Sequence, residues 1–204
     1  MKRDQIVTKL QNHMPSILGG GHVKKYAVML PLIQKEDGIH VLFEVRSQQL
    51  RRQPGEICFP GGKVDAADID EKAAAIRETM EELGVKKDEI FDIFPLDYMY
   101  FPSDMILFPF VGYISNPENI SVNPAEVGEI FSVPISFFLN QPPKIYQVQF
   151  KIEPERNFPF DLIPGGENYK WRKRSMDEYF YLYENKTIWG LTAKILFHFI
   201  EIIR

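Results

Sequence analysis

A chain of 204 residues, 45% of them hydrophobic, can bury a sizeable core, and we expect a single domain over residues 1–204. The formal charge of −4 argues against a nucleic-acid partner, because proteins bind phosphate backbones through an excess of Lys and Arg. The one cysteine, Cys58, excludes an intrachain disulfide and favours a reducing compartment.

The N-terminal segment predicts a short amphipathic helix over residues 3–14 that lies on the domain. Ile6, Leu10 and Met14 recur there at helical spacing, ahead of a proline. The glycine run at residues 19–22 has no strand before it and no helix-forming segment after it. We therefore interpret it as a hinge rather than as a phosphate-binding loop.

Two strands are predicted next, over residues 26–33 and 39–45, joined by a hairpin turn at residues 37–38. The first is continuously apolar, which indicates a strand buried on both faces. The polar segment that follows carries Arg51 and Arg52 and is expected to form a loop over the site.

The segment 59–85 predicts a glycine turn followed by a helix over residues 69–83. Asp68 with Glu71 three residues later is typical of a helix N-terminus, and Gly84 is typical of a helix end. At the helical period, the segment separates into an apolar stripe and an acidic face. The stripe, expected to face the core, is Ala73, Ile76, Met80 and Leu83; the acidic face is Glu78, Glu81 and Glu82.

The acidic face suggests a divalent cation, because clustered carboxylates repel one another and hard ions such as Mg²⁺ prefer oxygen ligands. A solvated surface is the commoner explanation of a Glu-rich helix face. Two features favour the cation. The Gly61–Gly62 turn lets backbone approach a ligand closely, and Arg77 can pair with the glutamates and orient them.

The remaining elements alternate strands with short connections. Residues 134–139 predict one helical turn, and the Pro- and Gly-rich segment 153–177, with its basic cluster at 172–174, is interpreted as a solvated loop. Strands are predicted over residues 90–101 and 106–114, with a break at 102–104, and over residues 144–152 and 178–184.

A C-terminal helix is predicted over residues 187–203, with Lys194, His198 and Glu201 on one polar stripe. Charge interrupts it too often for a membrane span, and we interpret His198 as a surface residue. The N-terminus lacks an apolar signal region and residues 201–204 lack a peroxisomal signal. A cytoplasmic protein without membrane contact is therefore expected.

The glycine turn and acidic helix together resemble the Nudix box, a glycine and a spaced acidic residue followed by REUXEEXGU with U aliphatic. Gly62 and the run RETMEELGV at residues 77–85 carry the resemblance. Two departures are visible. Thr79 stands where the box has an aliphatic residue, and one extra residue before Arg77 leaves Asp68 or Ile69 in place of the first box glutamate.

The segment before the box resembles the signature of the coenzyme A pyrophosphatase branch of Nudix hydrolases, LLTXT(S/A)XXXRXXXGXXXFPGG. The spacing of residues 42–62 agrees throughout, although Glu44 and Arg46 replace the two threonines. Three later runs, at residues 109–113, 123–134 and 189–193, also resemble this branch.

The resemblance implies a Nudix α/β/α sandwich of the α/β class, with a mixed β-sheet and the Nudix loop-helix-loop at about residues 62–85. It implies a Mg²⁺- or Mn²⁺-dependent hydrolase that cleaves the pyrophosphate of coenzyme A or acyl-CoA to 3′,5′-ADP and (acyl-)4′-phosphopantetheine. The partner would then be this small molecule, with no nucleic acid and no membrane. A homodimer is left open.

The same resemblance assigns roles to residues. Arg77 would orient the glutamates, and the general base stays open among Glu78, Glu81 and a loop acid, for which Glu126 and Glu129 are the candidates. The implied metal ligands are Glu78, Glu81, Glu82 and the carbonyl of Gly62, and the implied substrate-binding residues are Arg46, Arg51, Arg52, Gly61 and Lys63.

Two other functions remain open. A Nudix hydrolase of ADP-ribose or NADH would use the same chemistry, and Pro102 lies near where ADP-ribose hydrolases carry a proline. A Nudix domain that senses a nucleotide without cleaving it would typically have lost box glutamates. All three are present here.

Overall fold

The structure is a computed structural model that describes residues 2–15, 17, 23–101 and 104–204. The predicted hinge at residues 19–22 lies outside the described residues, and so do residues 102 and 103 of the predicted break at 102–104. Four helices occur among the described residues: α1 Arg3–Gln11, α2 Glu71–Leu83, α3 Ile135–Asn140 and α4 Gly190–Ile203. The strands are β1 Lys24–Lys35, β2 Gly38–Arg46, β3 Ile57–Cys58, β4 Gly61–Lys63, β5 Ile90–Pro95, β6 Met99–Phe101, β7 Met105–Ile114, β8 Val127–Pro134, β9 Lys144–Phe150, β10 Arg174–Tyr183 and β11 Lys186–Trp189.

Strand β1 is the centre of a mixed sheet of eight strands in the described part of the chain. It runs parallel to β7 and antiparallel to β2, and its side chains alternate between two cores. Ala27 and Met29 pack beneath α2, whereas Leu30 and Leu32 pack on the opposite side with α3 and α4. The expectations of a strand buried on both faces and of a mixed sheet covered by helices are therefore confirmed.

The short strands β3 and β4 bring the glycine turn to α2. Strand β3 pairs with the end of β2, and β4 pairs with β1 opposite residues 26–28, so the chain crosses from one strand to the other between residues 58 and 61. Gly61 leaves no room for a side chain, because a Cβ there would lie 2.7 Å from the Cα of Val28. Glycine is thus required for this close approach to β1.

A second sheet, β9-β10-β11, covers the side of the molecule away from α2. Tyr181 and Ile188 of this sheet enter the core formed with α3 and α4. The predicted helix over residues 187–203 was wrong at its start, because residues 186–189 form β11 and pair with β10. Branched and aromatic side chains at 187–189 fit a hairpin strand, and the helix begins only at Gly190.

Helix α1 is shorter than predicted and does not pack as predicted. It ends at Gln11, and none of its residues is buried. Leu10 is 65% exposed and Met14 is 85% exposed. The expectation that the apolar face of this helix lies on the domain was therefore wrong. Among the described residues, no helix has the length and apolar character needed to cross a bilayer.

Candidate active site

Helix α2 begins two residues later than its sequence predicted. The N-cap is Asp70, whose carboxylate accepts a hydrogen bond from the backbone N–H of Ala73 at 2.7 Å. Asp68 is not the cap, because it closes the preceding turn by accepting from the N–H of Asp65 at 2.8 Å. Gly84 ends the helix in the left-handed conformation, with φ of 67°, as the sequence predicted.

The face of α2 that meets the sheet also differs from the prediction. Ala74, Ala75 and Thr79 are buried, and the Thr79 hydroxyl donates to the carbonyl of Ala75 at 2.7 Å, which satisfies this polar group inside the core. Small residues let the helix approach the sheet closely. The predicted stripe is confirmed for Leu83, which is buried, and for Ile76 and Met80, which are partly buried and pack against the same core. It was wrong for Ala73, which does not belong to that core.

Arg77 is the hub of the hydrogen bonds on the outer side of α2. Its guanidinium donates two bonds of 3.0 Å to the carboxylate of Asp68, one of 2.9 Å to Glu78 and one of 3.3 Å to Glu81. It also donates to the carbonyl of Lys63 at 3.2 Å. These bonds lower the pKa of Asp68 and raise that of Arg77. Arg77 thus holds Asp68, Glu78 and Glu81 in one hydrogen-bonded group.

Asp68 takes the position beside Arg77 that the longer box had left uncertain. The side chain of Asp68 is 6% exposed, whereas its neighbour Ile69 is 92% exposed. The bidentate bond to Arg77 therefore forms from Asp68, and Ile69 points into solvent.

Glu78 lies directly over the glycine turn. A Cβ on Gly62 would meet the carboxylate of Glu78, with its Cδ at 2.5 Å, so only glycine permits this contact. Burial raises the pKa of Glu78, and the hydrogen bond and charge of Arg77 oppose that rise. A partly buried carboxylate is thus held against the backbone of this turn.

Glu82, predicted for the acidic face, is in fact buried, with 5% of its surface exposed. One carboxylate oxygen accepts a hydrogen bond of 2.8 Å from the backbone N–H of Gly61. Burial is the largest cause of its raised pKa, and the nearby charge of Glu44 is the next. Glu81 remains half exposed at the surface, so the three box glutamates occupy three different environments.

Glu44 of β2 is a functional candidate that the sequence analysis did not propose as an acidic site residue. Its surface is 2% exposed and its carboxyl group faces Glu82, closely enough for a hydrogen bond between the two when one of them is protonated. A signal was present in the sequence, because Glu44 interrupts an otherwise apolar strand and replaces a threonine of the signature. The register of β2 with β3, which decides its neighbours, was not predictable.

The two loop acids after the box lie on different sides of the sheet. Glu129 is paired with Val45 in the register of β2 and β8, whereas Glu44 is paired with Ile130. Directly paired residues point to the same face and successive residues to opposite faces, so Glu129 points away from Glu44. It binds Lys186 instead, at 2.7 Å.

Glu126 lies closer to the acidic helix. Its charge contributes to the raised pKa of Glu78 and of Glu82. Its backbone carbonyl accepts a bond of 2.8 Å from the N–H of Ser47, which ties the Glu126 loop to the loop that carries the arginines.

The basic candidates lie in the segments just before and just after the glycine turn. Arg51 and Arg52 are exposed in the loop after β2, and Lys63 is exposed at the end of β4. Arg46 is partly buried, and its Nε has no hydrogen-bond partner within the described structure. These four cations surround the glycine turn in sequence, and three of them have side chains that solvent reaches freely.

The oxygen-rich donor set fits a hard divalent cation such as Mg²⁺ or Mn²⁺. Two carboxylates, Glu82 and Glu44, are buried side by side, and neither forms an ion pair with a cationic side chain in the described part of the chain. A bound ion would lower the cost of burying them. No three acidic, His or Cys side chains of the described residues already surround one point as a cage. Mg²⁺ does not require one, because it commonly uses one or two protein carboxylates, water and substrate phosphates.

Comparison with known proteins identifies the family. The NUDIX domain model matches residues 23–155, which include the glycine turn, α2 and the Glu126 loop. This chain belongs to the Nudix family. The family and the fold expected from the box are therefore confirmed. A solved MutT/nudix family protein from Enterococcus faecalis has a similar fold, with a TM-score of 0.52, 14% identity, and coverage of 100% of this chain and 70% of that one.

Several Nudix relatives bear on the branch of the family. The peroxisomal coenzyme A diphosphatase NUDT7 of Mus musculus is 36% identical over 134 residues, which are 66% of this chain and 56% of the mouse protein. The peroxisomal coenzyme A diphosphatase ndx-8 of Caenorhabditis elegans is 37% identical over 53% of this chain and 48% of that protein. An uncharacterized Nudix hydrolase, NudL, of Photorhabdus laumondii is 31% identical over 83% of this chain and 80% of its own length. This chain thus spans about half the length of the two coenzyme A diphosphatases.

Proposed function

We propose that this Nudix protein hydrolyses the pyrophosphate of coenzyme A or acyl-CoA to 3′,5′-ADP and (acyl-)4′-phosphopantetheine, with Mg²⁺ or Mn²⁺. The observation that carries the proposal is the convergence of two box glutamates on one glycine turn. Glu78 lies against Gly62, and Glu82 binds the N–H of Gly61. The likeness to two coenzyme A diphosphatases and the matching signature before the box support the choice of substrate.

The residues of the turn and of α2 would divide the work as follows. Glu78, Glu81, Glu82 and the carbonyl of Gly62 would hold the cation, and Arg77 would orient Glu78 and Glu81 through the bonds it makes to both. A bound divalent cation would neutralise the phosphoryl oxygens and make a water molecule more nucleophilic. Proton removal from that water needs a carboxylate within hydrogen-bonding reach.

Glu78, Glu81 and Glu126 are the bases that we retain. The position of Glu129 on the other face of the sheet, paired with Lys186, argues against the role proposed for it from sequence.

The cationic residues would bind the rest of the substrate. Coenzyme A carries a 3′-phosphate beside its pyrophosphate, and guanidinium groups bind phosphates with paired hydrogen bonds. Arg46, Arg51, Arg52 and Lys63 would meet these charges, with the backbone of Gly61 close to the pyrophosphate.

The role of Arg51 is tested by comparing KM for coenzyme A with KM for dephospho-coenzyme A. Arg51→Ala should raise the first and leave the second within about twofold. Equal discrimination in the variant and the wild type would remove Arg51 from 3′-phosphate binding.

Product analysis tests the function itself. The purified protein, incubated with coenzyme A and Mn²⁺ and analysed by chromatography, should yield 3′,5′-ADP and 4′-phosphopantetheine, while Glu82→Gln should yield neither. A parallel panel with ADP-ribose and NADH tests the other substrate classes, and preferred cleavage of either would replace coenzyme A as the substrate. Binding of coenzyme A by the wild type with no cleavage of any member of the panel would instead favour a nucleotide-sensing domain.

The homodimer and the cellular location are proposed on grounds other than the geometry of the active site. A homodimer would cover the outer face of the second sheet, where Tyr146, Val148 and Phe150 are about half exposed. Light scattering that gives only the monomer mass would contradict it. A cytoplasmic location stays a prediction beside relatives named peroxisomal, and fluorescence microscopy of the tagged protein would test it.

A further inference from the structure

Glu44 is a buried carboxylate with an oxygen that has no partner. Its side chain lies in β2 with 2% of the residue exposed. One oxygen receives the weak Cys58 thiol donor at 3.6 Å, and the other, Oε2, has no donor among the described residues while Glu82 is ionised. A buried acceptor without a partner is costly, so a group that satisfies it is expected in the functional state.

The surroundings of Glu44 indicate which kind of group is missing. The carboxyl group of Glu82 faces it, and burial raises the pKa of both acids. The charge of Glu44 adds to the rise at Glu82, whereas a hydrogen bond from Glu82 opposes the rise at Glu44. Arg46 is near enough to oppose this rise, yet no ion pair joins Glu44 to a cationic side chain among the described residues. Two buried acids that face each other are stabilised by a positive charge between them, either a shared proton or a metal ion bound by their oxygens.

The position of this pair makes a metal ion the better candidate. Glu82 belongs to α2 and is fixed by the N–H of Gly61, and Glu44 is paired in the sheet with Cys58, so both acids adjoin the glycine turn. Glu44 also departs from the signature that residues 42–62 otherwise match, because that signature has threonine at this position. A threonine supplies a neutral hydroxyl, whereas Glu44 supplies a charge.

We propose that Glu44 is a fourth carboxylate of the cation site and that it binds a divalent cation together with Glu82. This inference rests on the cation dependence of the proposed function but not on the identity of the substrate. Two carboxylates with water and substrate phosphate oxygens form a sufficient ligand set for Mg²⁺.

Calorimetric titration of the substrate-free protein with Mn²⁺ tests the inference, because its readout does not involve hydrolysis. Glu44→Gln keeps the shape of the side chain and removes its charge. We expect its Kd for Mn²⁺ to rise about tenfold or more, a loss of the size seen when groups around a metal site are changed. Glu36→Gln, which removes the same charge from the exposed turn after β1, should keep the wild-type Kd within about twofold.

The thermal midpoint separates loss of the site from loss of the fold. Without metal, Glu44→Gln should unfold at or above the wild-type temperature, because one of two facing acids has become neutral. With saturating Mn²⁺, it should gain less stability than the wild type. Should Glu44→Gln fail to fold, Glu44→Thr, which restores the residue of the signature, gives the same test.

The possible outcomes distinguish this inference from the proposed function. A wild-type Kd for Mn²⁺ in Glu44→Gln or Glu44→Thr overturns the inference and reduces the pair to two acids that share a proton. Absence of Mn²⁺ binding to the wild type overturns it as well. Mn²⁺ binding that depends on Glu44, in a protein that does not cleave coenzyme A, would leave it standing and remove the proposed function.

Discussion

The carboxylates around α2 are separated by burial more than by their spacing. Glu82 and Glu44 are almost fully buried, Glu78 is partly buried against Gly62, and Glu81 is held at the surface by Arg77. A charge in a low-dielectric site interacts several times more strongly with a bound cation or phosphate than a charge in water. Glu82 should therefore matter more for cation binding than Glu81, although both belong to the same sequence run.

The loop acid that assists the reaction is predicted to be Glu126 and not Glu129. Replacing Glu126 with Gln removes a charge that acts on Glu78 and Glu82, and should lower kcat for coenzyme A hydrolysis roughly a hundredfold, the lower end for losing an acid–base group. Glu129→Gln breaks only an exposed ion pair with Lys186 and should leave kcat within about threefold. The reverse order of effects, measured at saturating Mn²⁺, would return the role to Glu129.

For single residues, the sequence was sufficient to locate the acids of α2 but not to predict the burial and hydrogen-bond partners of each. The spacing of Glu78, Glu81 and Glu82 was sufficient to group them, because a helix has one period. It could not show that Asp70 rather than Asp68 caps the helix, since that choice depends on the turn closed between Asp65 and Asp68.

At the scale of the elements, the end of α2 is fixed by one glycine. Gly84 has φ of 67°, and a Cβ on it would collide with the carbonyl oxygen of Ser121. Gly190, at the start of α4, has nearly the same φ of 64°, but its nearest neighbour would be a side-chain oxygen of Glu178 at 3.9 Å. Comparing alanine substitutions at Gly84 and Gly190 therefore separates the cost of backbone strain from the cost of a collision.

Gly84→Ala should therefore destabilise the protein more than Gly190→Ala. The left-handed conformation costs a non-glycine residue about 1 kcal/mol, and this is all that Gly190→Ala should lose. The collision with Ser121 should add at least about 1 kcal/mol to Gly84→Ala. Urea unfolding of both variants measures the difference in the free energy of unfolding. Equal losses would mean that the chain near Ser121 moves aside at little cost.

Continuously apolar strands such as β1 and β7 were predicted to within a few residues, because a run of apolar side chains indicates a buried strand. The hairpin β10-β11 was missed at its second strand, because residues 187–189 are apolar enough to continue the helix pattern. Only pairing with residues 180–182 made them a strand.

At the scale of the whole molecule, the sandwich followed from the order of the elements and from the family resemblance. The second sheet, β9-β10-β11, was not foreseen as a sheet, because residues 153–177 separate two of its strands and hide their pairing. Long-range pairing depends on which surfaces remain uncovered after the first sheet has formed. Here, Tyr181 and Ile188 complete the core that α3 and α4 form with the central sheet.

The buried acids predict an unusual dependence of stability on pH for the metal-free protein. Glu44 and Glu82 have raised pKa values in the folded state, first of all because they are buried. Between the pKa of the unfolded chain, near 4.5, and the raised folded values, the folded state binds more protons than the unfolded state. Their contribution to stability is therefore fully present below about pH 4.5 and is lost as pH rises through the folded pKa values.

We expect the free energy of unfolding of the metal-free protein to fall between pH 5 and pH 8, by up to about 1.4 kcal/mol per pH unit for each extra proton that the folded state binds. The thermal midpoint should fall with it. Asp68 and Glu71 have lowered pKa values and act in the opposite sense, but their contribution is lost only as pH falls below about 4, outside this interval. Glu82→Gln should flatten the decline, since it removes one of the two acids, and the decline should be partly reversed at pH 8 by saturating Mn²⁺ in the wild type. A midpoint that is constant or rises over this interval would mean that water or a neighbouring cation already stabilises both ionised carboxylates.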